Sequence, residues 1–220
     1  AWWVLGDLVA IGPDPVATIE RLRALPDVSF VSGNTDRYSL TNDRPPPTEA
    51  DVLADPTLLP VFAAVARSFA WTRGALAAHG LLDWLATLPA SVSMTLPDGT
   101  RVLGVHASPK DDDGRGISPE RDEAGLAADL AGVDADIVIG GHTHRQTDRL
   151  VGAVRALNGG SVSNPQPSDL RAGYLVIDAD THGHRVELRR VEYDHEEFLR
   201  RVYASNHPEA DYIASHQRVR

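Results

Sequence analysis

The sequence predicts one α/β domain, because strand-like and helix-like segments alternate along it. The first unit is the apolar run WWVL (2–5), a helix near 16–24 with Val16, Ile19 and Leu22 on one face, and the apolar run VSFV (28–31). A length of 220 residues suits one medium domain. Neither an internal repeat nor an interdomain linker is evident, so residues 1–220 are expected to form a single domain.

The remaining elements follow in order along the chain. Residues 40–57, rich in proline and acidic side chains, are expected to form an exposed loop, and a helical stretch follows over about 58–88 with an interruption near 74–80. A hairpin turns at Pro-Asp-Gly (97–99), and a helix N-capped by Ser118 is expected to end near Gly132. Further strands are expected at 136–140, 153–157, 174–178 and 185–193, and an amphipathic helix near Glu196.

Composition excludes several classes of function. The chain is 42% hydrophobic and 24% charged, as in ordinary globular proteins, and it has no apolar run of the ~18 residues that a membrane span needs. The formal charge of −10 should repel nucleic-acid phosphates, so neither a membrane nor long nucleic acid is an expected partner. The absence of cysteine excludes disulfides, thiolate zinc sites and cysteine nucleophiles. No signal peptide is visible, and we expect a cytoplasmic location.

Four predicted strands end in polar side chains that can bind metals. WWVL leads to Asp7, VSFV to Asn34, VLGV to His106, and DIVIGG to His142 and His144. Ligands of open α/β sheets bind at the carboxyl ends of the strands. A mixed oxygen and nitrogen set suits manganese, iron or zinc better than calcium, and a carboxylate bridging two metals recurs in phosphoryl chemistry.

Each of these residues also has a plainer interpretation when it is taken alone. His142 and His144 could lie in a solvated turn, His106 could be a hydrogen-bonded core histidine, and Asp7 and Asn34 could be turn or cap residues. Their joint occurrence at four strand ends favours a metal site.

The ordered motifs resemble those of a known family. GDLVAIGPDP (6–15), GNTD (33–36), GVHASP (104–109) and GGHTH (140–144) are similar to the motifs of the calcineurin-like metallophosphoesterases, in particular their small bacterial phosphodiesterase branch. LNGGSVSNPQ (157–166) resembles a downstream segment of that branch, with Gly159 in place of a proline. The resemblance extends over nearly the whole chain.

The resemblance implies a fold, a cofactor and a reaction. The fold would be a four-layer αββα sandwich, in which two mixed β-sheets are flanked by helices. Asp7 would bridge two divalent ions, manganese first, with iron, zinc, nickel or magnesium as alternatives. Asn34, His106 and His142 would complete one metal site, and His144 would belong to the other. The implied enzyme hydrolyses a small-molecule phosphoester, a diester rather than a monoester, through a metal-bridging hydroxide.

Two departures from the family pattern bear on activity. The family's Asp-x-His motif, which supplies two ligands to the His144 metal, has no counterpart between Ala1 and Asp7, and we expect it on a segment upstream of Ala1. Thr35 stands where many members have a histidine that acts as general acid, and threonine cannot supply a proton in that way. A non-catalytic scaffold that retains the fold is therefore the alternative hypothesis.

The roles of several other residues stay open. Asp36 and Arg37 are candidate catalytic residues, and Arg145 is a candidate substrate-binding residue; Asp36 could instead orient a ligand or cap a helix, and both arginines could be solvated. The run 111–113 is interpreted as a solvated loop that could border the substrate entrance. The C-terminal region could pack on the core or on a second subunit, so a homo-oligomer is possible from the sequence. The histidines assigned to the surface are His79, His182, His184, His195, His207 and His216.

Overall fold

The computed structural model describes residues 1–164 and 169–217, in which strands and helices alternate as expected. The strands are β1 (Trp2–Leu5), β2 (Val28–Val31), β3 (Ser91–Thr95), β4 (Arg101–Val105), β5 (Ile137–Gly140), β6 (Thr147–Val151), β7 (Val154–Asn158), β8 (Ala172–Asp180) and β9 (Gly183–Val191). The α-helices are α1 (Pro15–Arg23), α2 (Asn34–Leu40), α3 (Glu49–Ala54), α4 (Leu59–Ala78), α5 (Leu82–Ala86), α6 (Glu123–Leu130), α7 (His195–Ala204) and α8 (Ala210–Ser215).

A five-stranded mixed sheet forms the centre of the molecule, in the order β3-β4-β5-β7-β6. Strands β4, β5 and β7 are parallel, whereas β3 and β6 pair antiparallel with their neighbours through hairpins. Every residue of β5 is buried, as expected for a strand covered on both faces. The carboxyl ends of β4, β5 and β7 therefore lie at one edge of this sheet.

The two faces of this sheet pack against different layers. On one face, Val138 belongs to an apolar cluster with Leu126 of α6. On the other face, Ile139 packs with Trp3 of β1 and Ile177 of β8. The strand β1 and the β8–β9 hairpin thus form a second β layer against the central sheet.

Helices cover the outer side of the second β layer. Val4 of β1 and Phe30 of β2 pack against Ile19 of α1, Leu76 of α4 and Leu85 of α5. The order of layers is helix, sheet, sheet, helix, which confirms the predicted αββα class. Over residues 1–164 and 169–217, however, the second layer consists of two separate ladders, the parallel β1–β2 pair and the antiparallel β8–β9 hairpin.

Two local predictions are wrong because side-chain caps decide where helices begin. Residues 40–57 contain α3, which begins after Thr48 because the Thr48 hydroxyl accepts from the Asp51 N–H and the Asp51 carboxylate accepts from the Thr48 N–H. The helix predicted from Ser118 starts later, since the Asp122 carboxylate accepts from Gly125 N at 2.7 Å and caps α6. Ser118 is buried in the preceding turn.

The longest helix, α4, passes through Gly74 and ends at Ala78, so the predicted interruption is confined to the residues before α5. The amphipathic helix expected near Glu196 is α7, which Asp194 caps by accepting from Glu197 N. Within the part of the chain that the structure describes, no helix is both long and apolar enough to cross a membrane.

Candidate metal centre

The ends of neighbouring strands bring three of the predicted ligands into one cluster. Asp7 follows β1, His106 follows β4, and His142 follows β5. One ligand atom from each lies within 4.8 Å of the other two. Asn34, the first residue of α2 after β2, joins them, with its Oδ1 atom 3.0 Å from His106 Nε2 and 3.2 Å from His142 Nδ1.

The tautomer of His106 shows that this cluster suits a cation. His106 is 2% exposed, and its Nδ1 atom donates to the Leu5 carbonyl at 2.6 Å. The neutral ring then has an unprotonated Nε2, which faces Asn34 Oδ1 and lies 3.3 Å from Asp7 Oδ1. In this neutral form, the lone pairs of His106 Nε2, Asn34 Oδ1 and Asp7 Oδ1 face one another, an arrangement that a divalent ion stabilises. The hydrogen bond to Leu5 fixes the orientation of the ring.

The charges of Asp7 and His106 depend on each other. Burial raises the pKa of Asp7, but hydrogen bonding to His106 and Thr35 outweighs it and leaves the pKa below its usual value. Burial lowers the pKa of His106, but the Asp7 carboxylate outweighs it and leaves the pKa raised. Each shift favours the charged form of its group, and a bound cation would compete with a proton on His106.

Three of the candidate ligands have left-handed backbone conformations. The φ angles are 57° at Asp7, 62° at His142 and 59° at His144. Such conformations are strained for residues other than glycine, although aspartate and histidine adopt them more readily than most, and they cluster at functional sites. Here they turn the chain after β1 at Asp7 and in the loop after β5 at His142 and His144, and Asp7 and His142 join the cluster.

The buried carboxylate of Asp36 holds the Asp7 turn in place. It accepts from the backbone N–H groups of Asp7, Leu8 and Gly33 at 2.8–2.9 Å. Burial and the nearby Asp7 raise the pKa of Asp36 to about 7, against the lowering effect of the backbone hydrogen bonds. Both carboxylate oxygens are engaged by backbone, so the contacts of Asp36 fit positioning of the β1 and β2 ends better than direct contact with substrate.

Glycines allow these strand ends to approach. A Cβ atom on Gly33 would lie 2.4 Å from both Asp7 N and Asp7 Oδ1. A Cβ atom on Gly6 would lie 2.4 Å from His106 Nδ1, and Gly6 also has a φ of 89°. Neither position can carry a side chain without displacing a candidate ligand.

His144 lies beside the cluster rather than inside it. Burial lowers its pKa, and the charges of Asp7, His142 and His106 also act on it, which places it within electrostatic reach of all three. It lines a pocket of about 170 Å³ together with Asp7 and Thr35. The cluster contains His142 but not His144, and the division of the two histidines between two ions stays a prediction.

Asn158 is a positioning residue that sequence reasoning missed. It ends β7 and is fully buried, and its Nδ2 atom donates to the Gly141 carbonyl at 2.5 Å and to Thr143 Oγ1 at 3.0 Å. It thereby holds the GGHTH turn. A polar residue at the end of a buried strand, at the edge where the histidines lie, was the available signal. In the motif 157–166, residues 165 and 166 lie outside the described residues.

The candidate arginines engage in ion pairs next to the site. Arg37 binds Asp112 at 2.7 Å and Asp43 at 2.8 Å, and Arg145 binds Glu120 at 2.5 Å. The acidic run 111–113 is not a remote loop, since Asp113 Oδ1 lies 3.8 Å from His142 Nε2. It lies beside the candidate metal centre, and its position at the substrate entrance stays a prediction.

The surface assignment is wrong for His207, which is buried, and His184, His195 and His216 are half-buried rather than exposed. His207 is 5% exposed and packs on the Trp71 ring at a centroid distance of 4.6 Å, so it belongs to the core. His216 is half-buried and lines the same pocket as Asp7 and His144. Both lie in the C-terminal region, whose packing on α4 is not visible from sequence periodicity.

Comparison with known proteins gives the family. Residues 2–182 match the profile of the calcineurin-like phosphoesterase superfamily domain. A hypothetical protein from Pyrococcus horikoshii has a similar structure, with a TM-score of 0.77, 19% identity, and 99% of this chain and 84% of that chain covered. A metallophosphoesterase from Sphaerobacter thermophilus has a TM-score of 0.68, 23% identity, and coverage of 97% and 87%. No curated protein matches this sequence. Because the profile covers most of its length, the chain belongs to the calcineurin-like phosphoesterase superfamily.

Proposed function

We propose that the protein is a metal-dependent phosphoesterase that uses two divalent ions to hydrolyse phosphodiesters of small molecules. The observation that carries the proposal is the convergence of Asp7, His106 and His142 within 4.8 Å around Asn34 Oδ1. The family is one of phosphoesterases, and this cluster supplies the mixed oxygen and nitrogen ligands that manganese, iron and zinc accept.

Each residue of the site has a role in the proposal. Asp7, Asn34, His106 and His142 would hold one ion, and Asp7 and His144 would contribute to a second. Bound divalent ions supply activation of water and neutralisation of charge on phosphate oxygens. Thr35 positions Asp7, because its backbone N–H and its hydroxyl both donate to Asp7 Oδ1, at 3.0 and 2.9 Å.

The substrate would lie in the pocket that Asp7, Thr35 and His144 share. Arg145 lines an adjoining pocket of about 210 Å³ that also includes His144, where its guanidinium can contact an anionic group of the substrate. We keep manganese as the first metal, one domain over residues 1–220, a cytoplasmic location and a homo-oligomer as further predictions.

The test is hydrolysis of bis(p-nitrophenyl) phosphate and of p-nitrophenyl phosphate with added Mn²⁺. We expect a higher kcat/KM for the diester, and we expect His142→Ala to lose most of the activity. His182→Ala is the matched control, because that side chain is 90% exposed at the β8–β9 turn and should leave activity unchanged. Absence of activity in the wild-type protein, or full activity in His142→Ala, would refute the proposal.

Metal analysis separates this proposal from the scaffold hypothesis. A phosphoesterase should bind Mn²⁺ stoichiometrically, and His142→Ala should reduce that stoichiometry. A scaffold should contain substoichiometric metal and should show the same thermal stability with and without Mn²⁺, since a ligand that does not bind the native state cannot stabilise it.

A further inference from the structure

The pocket beside the candidate metal centre has two different walls. Asp7 and His144 lie on the polar wall at the strand ends. The opposite wall comes from α4 and α8 and includes Phe69 and Tyr212. A substrate group that contacts the second wall would therefore meet two aromatic rings.

The helix α8 is held firmly against this pocket. Ile213 is 1% exposed and anchors the helix in the interior. At its end, the Gln217 amide donates to the Ser163 carbonyl at 2.6 Å, and Tyr193 donates its hydroxyl proton to Gln217 Oε1 at 3.0 Å. Ser163 itself lines the pocket. The residue before Gln217, which is His216, is thus fixed at the pocket wall.

One nitrogen of His216 is available for proton exchange. Its Nδ1 atom donates to the Tyr212 carbonyl at 2.9 Å, and the two rings pack edge to face at 4.7 Å. No residue of 1–164 or 169–217 hydrogen-bonds its Nε2 atom. Imidazole is the side chain most often used in general acid–base catalysis, so an imidazolium held in this way can transfer its Nε2 proton to a group in the pocket.

The other groups of the pocket are poorly suited to that transfer. The Thr35 hydroxyl donates to Asp7 Oδ1, and aliphatic hydroxyls are weak acids. Burial raises the pKa of Tyr212. His144 is a candidate ligand. His216 is therefore the residue of this pocket whose chemistry and hydrogen bonding fit a proton donor.

We propose that His216 protonates the leaving group, an inference that rests on the proposed phosphodiesterase function. A water oxygen forms the new bond to phosphorus while the bond to the leaving oxygen breaks. The leaving oxygen takes the proton from Nε2 of the His216 imidazolium and departs as a neutral alcohol. The proton of the attacking water goes to solvent, which also reprotonates His216. Because the wall around His216 is aromatic, the leaving group would be an alcohol or phenol with an apolar or aromatic body.

The test compares two leaving groups of different quality. Bis(p-nitrophenyl) phosphate releases p-nitrophenolate readily, whereas diphenyl phosphate releases phenol and depends more on protonation. In His216→Asn, the side-chain amide can keep the bond to the Tyr212 carbonyl but has no transferable proton. We expect it to lose about 100-fold or more in kcat on diphenyl phosphate, and far less on the nitrophenyl ester.

Two further variants serve as controls. His79→Asn is the matched control, because His79 has the same hydrogen bond to a carbonyl four residues earlier, with its Nδ1 atom 2.9 Å from Ala75 O, on an exposed part of the chain. We expect it to leave both rates unchanged. His216→Gln carries an amide N–H near the position of Nε2, so it can donate a hydrogen bond without transferring a proton, and we expect it not to restore diphenyl phosphate hydrolysis.

The outcomes distinguish the two proposals. If the wild-type protein hydrolyses neither ester with Mn²⁺, the proposed function fails, and the role of His216 fails with it. If the wild type is active and His216→Asn lowers both rates equally, or neither, while melting temperature and Mn²⁺ binding are unchanged, the proton-donor role alone is refuted. Recovery of diphenyl phosphate hydrolysis by His216→Gln would also refute it.

Discussion

Replacing Gly33 with alanine tests whether close approach of the β1 and β2 ends shapes the metal centre. The added Cβ would lie 2.4 Å from Asp7 N and Oδ1 and 2.9 Å from His106 Cε1, all inside the 3.0 Å that real Cβ atoms essentially never cross. These obstacles are backbone and candidate ligands, not the flexible ends of side chains. Asp7 cannot retreat easily, since its N–H is bound by Asp36 at 2.9 Å.

The expected cost follows from this overlap. Overpacking a well-packed site costs about 1–3 kcal/mol. For a chain of this size, that lowers the melting temperature by about 2–12 °C. Because Asp7 must shift relative to His106, we also expect Mn²⁺ affinity to fall by about 10–100-fold, as for loss of a group that orients a ligand.

The measurements are urea unfolding and thermal melts, both followed by circular dichroism, and calorimetric titration with Mn²⁺. Gly12→Ala is the control, because a Cβ at Gly12 would meet no atom within 4 Å, and it should stay within about 0.5 kcal/mol of the wild type. The reasoning would be refuted by a Gly33→Ala protein that unfolds like Gly12→Ala and binds Mn²⁺ with wild-type affinity.

Three further predictions concern stability. Asp36→Ala removes the acceptor of three backbone N–H groups, two of them in buried hydrogen bonds that are expected to cost about 1–3 kcal/mol each. Urea unfolding should show a much larger loss than for Asp51→Ala, whose carboxylate occupies the same N3 position of an exposed helix. Equal losses would contradict this. Burial lowers the pKa of His207, so on acidification this histidine is protonated at higher pH in the unfolded chain than in the folded protein. Stability should therefore fall as pH drops below about 6.5, the value for a solvated histidine. Thermal melts between pH 8 and 5 should show a smaller fall for His207→Gln, and identical curves would exclude the effect. Gly74→Ala, inside α4 with no atom within 4 Å of the new Cβ, should gain about 0.5–1 kcal/mol, and an unchanged or lower melting temperature would disprove the prediction.

The candidate ligands that could be predicted from the sequence are those that directly follow predicted strands. Asp7, His106 and His142 each follow an apolar run, which marks them as candidates in the sequence. The parallel pairing of β4 and β5 brings His106 and His142 to one edge of the central sheet, whereas Asp7 joins them because β1 packs against that sheet from the second layer. Asn158 obeys the same rule, but asparagine is also common in the turns that follow strands, where it bonds only to its own backbone. The helix starts at 49 and 123 were misjudged because several nearby residues can cap a helix, and tertiary packing selects among them.

The sequence by itself determined the α/β class, the family and the candidate ligands, because hydrophobic periodicity and motif order are local properties of a chain. Only the tertiary structure decided how these groups act on one another. Asp36 accepts from Asp7 N and Leu8 N, 29 and 28 positions away, Gly33 leaves room for Asp7, and His216 lines the same pocket as Asp7. Such contacts depend on how layers pack, and side-chain packing in three dimensions leaves no periodic trace in the sequence.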